Sequence, residues 1–132
     1  MSIGLLLITH SHVGDALLDT ANKMFNGALL PVETLTVSTD CNPDQIKTQA
    51  RNVVDNLDDG EGVLVFTDMY GSTPSNIAYS LAESGRVNVV SGLNLPMLIR
   101  TLNYQDLDLK SLTEKAVSGG RDGIHCCKSP LK

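Results

Sequence analysis

Basic residues are scarce in this chain. Ten Lys and Arg stand against fifteen Asp and Glu, a formal net charge of −5 at pH 7, and no Lys/Arg cluster offsets the deficit. A nucleic-acid partner needs a basic footprint to displace counterions, so that class is excluded. Cysteine is sparse too, with Cys41 alone and Cys126 next to Cys127. An odd count containing an adjacent pair builds no secreted disulfide framework, and no C-x-x-C spacing supports a structural zinc site. All three read as reduced and incidental. No apolar run is long enough to span a bilayer, and no basic region precedes the N-terminal one. The expectation is a cytoplasmic protein. Low-complexity tracts are absent as well, and 42% hydrophobic content over 132 residues suffices for one domain, residues 1–132, with its own core.

What is present is a regular alternation of apolar runs and helical patterns. Residues 3–9 form a continuous apolar run, the mark of a strand covered on both faces. Val13, Leu17, Ala21 and Met24 recur at helical spacing, predicting a helix over 13–25 closed by Gly27. Residues 33–37 alternate partly, as a strand near an edge does. Asn42 can cap the next helix, Pro43 suits its first position, and Gln45 stands where a reciprocal cap would. Ile46, Ala50, Val53 and Leu57 follow in phase, and Asp58-Asp59-Gly60 ends the run. Residues 63–67 predict the third strand and 87–90 the fourth. Between them a helix opens at Pro74, passes through Ile77, Ala78, Leu81 and Ala82, and stops at Gly85. A helix from about Pro96 to Leu102 and another over 109–117, ended by Gly119-Gly120, complete the pattern, with a last short strand around Ile124. Strands separated by helices imply right-handed crossovers, hence an α/β, doubly wound, mainly parallel sheet with helices on both faces.

In such a sheet ligands sit outside the carboxyl ends of the strands, at the switch point of strand order. His10 closes the first apolar run and Asp68 closes the third. Neutral imidazole is a competent nucleophile near physiological pH. A carboxylate on one ring nitrogen fixes the tautomer, frees the other nitrogen's lone pair and stabilises the ring once it turns cationic. After Asp68, Gly71 permits a tight turn, Ser72 and Thr73 can cap the helix that Pro74 opens, and the helix start presents unpaired N–H groups that attract phosphate. Phosphoryl transfer demands mainly positioning and charge stabilisation, which these parts supply. The plainer alternative is two structural caps. His12 either caps the following helix, faces solvent, or joins His10 and Asp68 as metal ligands in a hydrolase. His125 lies in the tail. No G-x-x-x-x-G-K-[ST], no G-x-G-x-x-G after the first strand, no G-x-S-x-G and no receiver-type acidic cluster occur.

The strand ending in Thr9-His10, the strand ending in Asp68 with Gly71-Ser72-Thr73-Pro74-Ser75-Asn76 behind it, Gly92-Leu93-Asn94-Leu95-Pro96-Met97-Leu98 and Gly120-Arg121-Asp122-Gly123 occur in this order. Together they resemble the mannose-type EIIA domain of the bacterial phosphoenolpyruvate-dependent sugar phosphotransferase system, over residues 1 to about 125. The phosphotransfer subunit of bacterial dihydroxyacetone kinase resembles the same domain. The resemblance implies a cytoplasmic phosphotransferase component without a cofactor or metal. His10 would accept a phosphoryl group at Nε2 from the phosphohistidine protein HPr and pass it to a IIB-type protein. Asp68 would hold Nδ1, and the Gly71, Ser72 and Thr73 segment, with the Thr73 hydroxyl, would lie against the phosphate. It also implies a homodimer that exchanges a C-terminal antiparallel edge strand near Ile124. His12 is outside the family's pattern. As the sequence stops at Lys132 without a linker, the expected acceptor is a separate IIB-type protein. The alternative is a stand-alone regulatory phosphoprotein whose His10 state controls binding to another protein.

Overall fold

A computed structural model describes residues 2–27 and 30–128. Its central sheet is built from β1 (Gly4–His10), β2 (Val32–Val37), β3 (Val63–Thr67) and β4 (Val87–Ser91), in the order β2-β1-β3-β4 and parallel throughout. Successive side chains of a strand point to opposite faces, and here each face has its own apolar core. Leu5 and Leu7 of β1 join Leu64 and Phe66 of β3 on one side. That side is covered by α1 (Val13–Met24), α4 (Leu95–Asn103) and α5 (Leu109–Asp122), through Ala21, Leu98, Leu112 and Ala116 among others. Leu6 and Ile8 join Val63 and Val65 on the other side, beneath Ala50 and Val54 of α2 (Pro43–Leu57) and Ile77 and Ala78 of α3 (Thr73–Tyr79). The doubly wound reading therefore holds. β2, at the edge, buries only Leu35 and Val37, as its partial alternation predicts.

The chain leaves β1 for β2 on one flank, then returns across β1 to β3 on the other. The strand order thus reverses between β1 and β3, whose carboxyl ends carry His10 and, one residue beyond Thr67, Asp68.

Several helices depart from the predicted pattern. In α1, Val13 and Met24 are exposed, at 41% and 61%. The buried stripe runs instead through Gly14 and Ala21, with Leu17 and Leu18 half-buried beside them. Gly14 leads it because a Cβ there would stand 3.1 Å from Thr9 Oγ1 and 3.3 Å from Leu7 Cβ. α2 begins as expected, with Asn42 Oδ1 accepting from the Asp44 N–H at 3.0 Å. α3 stops at Tyr79 rather than Ala82, because the Leu81 and Ala82 N–H groups reach back only three residues, to Ala78 and Tyr79. Leu81 is still buried, which explains its helical phase.

The largest departure lies at the end of the chain. Gly119 and Gly120 do not end α5, which continues to Asp122. They are contact points with α4: a Cβ on Gly119 would lie 2.7 Å from Arg100 Cβ, and one on Gly120 2.8 Å from Met97 Cε. Two glycines in a row thus allow close helix approach here instead of punctuation. Asn94 clamps the same junction, capping the Met97 N–H at 2.9 Å and donating to the Gly120 carbonyl at 3.2 Å. Residues 124–128 form no strand within the chain, and Ile124 is 77% exposed.

Candidate functional site

His10 has the same parity in β1 as Leu6 and Ile8, so its side chain stands at the carboxyl end of the face covered by α2 and α3. It lines a cavity of about 270 Å³ whose other walls include Val37, Cys41 and Pro43 from the start of α2, and Thr73 and Pro74 from the start of α3. The imidazole therefore sits where two helix N-termini converge, each with the positive end of its dipole toward the opening.

Asp68 holds this histidine at two points. Its Oδ2 accepts from the His10 main-chain N–H at 3.0 Å and meets Nδ1 of the ring at 3.0 Å. Its other oxygen, Oδ1, accepts from the Met69 N–H at 3.1 Å. The carboxylate is thus fixed by backbone donors on both oxygens before it touches the ring. The Asp68 side chain is only 15% exposed and the His10 side chain 43%. A carboxylate against Nδ1 favours the tautomer with the proton on that nitrogen, which leaves the lone pair on Nε2. Nε2 has no hydrogen-bond partner among the described residues. One ring nitrogen is pinned and the other open, a geometry suited to a nucleophile with an orienting carboxylate.

The loop behind Asp68 divides its expected roles unequally. Thr73 lines the cavity with His10. Ser72 is the N-cap residue of α3, but its hydroxyl donates to the Met69 carbonyl at 2.6 Å instead of capping the helix. Gly71 takes the positive φ of 85° that the turn requires, with its N–H donating to Ser75 Oγ at 3.3 Å. Pro74 has no N–H to offer.

His12 is separate from this group. It is the N-cap residue of α1 without a side-chain cap, and its Nδ1 meets Asp15 Oδ2 at 3.1 Å rather than Asp68. Among the described residues no three His, Cys, Asp or Glu side chains gather as a metal site. Cys41, Cys126 and Cys127 are all unpaired. Sequence reasoning missed the wall supplied by Ser38, Thr39, Cys41 and Pro43. The available signal was strand parity, since His10 follows Leu6 and Ile8 on the face that α2 must cover. Among the described residues no helix is long and apolar enough to cross a membrane.

Comparison with known proteins identifies the family and the fold. The family model EIIA-man, described as PTS system fructose IIA component, matches residues 4–117. The mannose-specific EIIAB component of Escherichia coli K12 is 30% identical over 132 residues, which cover 98% of this chain and 41% of that protein. The chain therefore spans about two-fifths of the length of such relatives. The fructose-specific EIIA component of Bacillus subtilis is 33% identical over 72 residues, 53% of this chain and 49% of its own. Among solved structures, the mannose/sorbose-specific IIA subunit from Enterococcus faecalis superposes with a TM-score of 0.86 at 20% identity, covering 100% of this chain and 99% of that one. The IIA protein associated with the fucose utilization operon of Streptococcus pneumoniae does so at 0.71 with 29% identity, over 89% and 93%. A two-sided parallel sheet with a His–Asp pair at its switch point, and a family match over most of its length, place this chain in the mannose-type EIIA family of the phosphotransferase system.

Proposed function

We propose that this chain is a phosphocarrier of a sugar phosphotransferase system, with His10 as the covalent acceptor. The observation that carries the reading is the His10 Nδ1–Asp68 Oδ2 contact of 3.0 Å beside an unpartnered Nε2. Nε2 attacks the phosphorus of phospho-HPr. A new N–P bond forms as the donor's N–P bond breaks, and the electron pair returns to the donor's imidazole. No proton or water is consumed. The ring becomes cationic, and Asp68 offsets that charge at the protonated Nδ1. Transfer onward to a IIB-type protein reverses the roles.

The phosphoryl oxygens fall toward the opening lined by Thr73. There the Thr73 hydroxyl and the first-turn N–H groups of α3 are the available donors, with Ser72 and Gly71 shaping the turn that presents them. Phosphoryl transfer leaves a protein little to do beyond such positioning and charge compensation. The working location of the reading is the cytoplasm, where phosphoenolpyruvate is available.

The same reading includes a homodimer that pairs a C-terminal segment with β4. Two features support it. β4 is the outer strand of the described sheet, and Ile124 stands exposed beside Val89 and Val90 in the groove along that edge. Sedimentation of the purified chain at micromolar concentration tests the dimer.

The phosphocarrier reading is tested by incubating the protein with phosphoenolpyruvate, enzyme I and HPr. Acid-labile, base-stable phosphate mapping to His10, and its absence from that position in His10→Ala with undiminished folding, are the expected results. A wild-type protein that takes no phosphate from phospho-HPr overturns the reading.

A further inference from the structure

His12, two residues from His10, repeats one element of that site, a carboxylate on its Nδ1. Its Nδ1 meets Asp15 Oδ2 at 3.1 Å. The other Asp15 oxygen, Oδ1, accepts from the Thr34 hydroxyl of β2 at 2.5 Å. As at Asp68, one carboxylate oxygen is anchored by a protein donor while the other fixes the ring. The Thr34 hydroxyl first, and then the His12 ring, hold the Asp15 carboxyl below its usual range. Nε2 of His12 is unpartnered among the described residues, and the side chain is 84% exposed. Ser11 joins the two histidines in a left-handed conformation at φ 43°, uncommon for a residue with a side chain. That turn carries His12 out of the strand line and onto Asp15, away from Asp68. A surface histidine needs no such carboxylate, and His125, also exposed, has none among the described residues.

We propose that His12 is a second phosphoryl-accepting histidine, loaded at Nε2 by the same phosphohistidine donor that serves His10. The proposal rests on the phosphocarrier reading for the identity of that donor. The His12 Nε2 lone pair forms the new N–P bond as the donor's N–P bond breaks, and the electron pair stays with the donor's imidazole. Nδ1 keeps its proton, and Asp15 offsets the ring's new charge. With its side chain 84% exposed against 43% for His10, His12 has fewer protein groups to position the phosphoryl group and is the slower acceptor of the two.

The test has two arms. Phospho-HPr, made from phosphoenolpyruvate and enzyme I, is added to the wild type, His10→Ala, His12→Ala and Asp15→Asn, and phosphohistidines are mapped by mass spectrometry at neutral pH. Phosphoramidate, a small donor with the same N–P bond, is then used to compare His12 with His125. The expected result is a second phosphoryl group on wild-type His12. It persists in His10→Ala, disappears in His12→Ala without loss at His10, and forms more slowly in Asp15→Asn. With phosphoramidate, His12 reacts faster than His125. Phosphate from phospho-HPr on His10 alone overturns the proposal and leaves the phosphocarrier reading intact. Phosphate on His12 without His10 upholds it and overturns the assignment of His10. Equal rates at His12 and His125 also overturn it, because Asp15 then has no effect on reactivity.

Discussion

Replacing Asp68 by Asn keeps the shape of the side chain and removes its charge. The structure shows why an amide does not substitute. Oδ2 receives two donors, the His10 main-chain N–H and the ring Nδ1, while Oδ1 receives a third from the Met69 N–H. An Asn offers one acceptor oxygen. With that oxygen toward His10, its NH₂ group opposes the Met69 N–H. With the oxygen toward Met69, the NH₂ group opposes the His10 N–H and favours the tautomer with the proton on Nε2, which has no lone pair for attack. Either way a charge-assisted hydrogen bond to the ring is lost, worth about 1.5–3 kcal/mol. At about 1.4 kcal/mol per tenfold, Asp68→Asn slows phosphoryl transfer to His10 by about 10- to 150-fold. The assay is rapid-quench transfer from phospho-HPr, with circular dichroism to confirm the fold. An unchanged transfer rate in a folded Asp68→Asn protein refutes the reasoning.

Other outcomes follow from the same contacts. Gly4→Ala pushes a Cβ to 2.8 Å from Leu57 Cβ and 2.9 Å from the Leu57 carbonyl oxygen. Overpacking of this kind costs about 1–3 kcal/mol, measured by urea denaturation, and no loss of stability contradicts the packing of β1 on α2. Thr67 is fully buried and its hydroxyl has no partner among the described residues. The isosteric Thr67→Val therefore stabilises the protein by about 1 kcal/mol, and a lower midpoint of unfolding points to a partner the hydroxyl does have. The Gly60 N–H, followed by the Arg86 guanidinium, holds the Asp58 carboxyl below its usual range, and the Ser111 N–H and hydroxyl do the same for Asp108. Their stabilisation is complete above the unfolded carboxyl pKa of about 4 and is lost as pH falls through the lower folded values. Asp58→Asn should flatten the fall in stability below about pH 4, and an unaltered slope in acid titrations followed by fluorescence-dye melting argues against that linkage.

Much of this structure was legible because strands buried on both faces carry continuous apolar runs. The run from Ile3 to Thr9 and the run from Val63 to Thr67 placed β1 and β3, and with them the residues at their ends. The topology rule for doubly wound sheets then brought His10 to Asp68, though 58 positions separate them. Other features were hidden for physical reasons. Gly119 and Gly120 look like the end of a helix, yet both serve close packing, as Gly14 does in α1, and that packing depends on neighbours that local sequence does not reveal. Leu81 keeps helical phase after the helix has ended, because its burial depends only on position over the sheet. The strand expected around Ile124 is not formed, since residues 124–128 find no strand partner among the described residues. The Ser72 hydroxyl was expected to cap α3, but a carbonyl three residues back competes successfully for it, as short polar side chains often allow. The wall formed by Cys41 and Pro43 was missed, because the parity of His10 points to it only once α2 is assigned to that face.

The most direct test of the central claim is nuclear magnetic resonance of the imidazole nitrogens in protein phosphorylated by phospho-HPr. With Asp68 on Nδ1, the phosphoryl group must sit on Nε2 of His10 while Nδ1 remains protonated and hydrogen-bonded. A phosphoryl group on Nδ1 of His10, or an acyl phosphate on Asp68, would contradict the account.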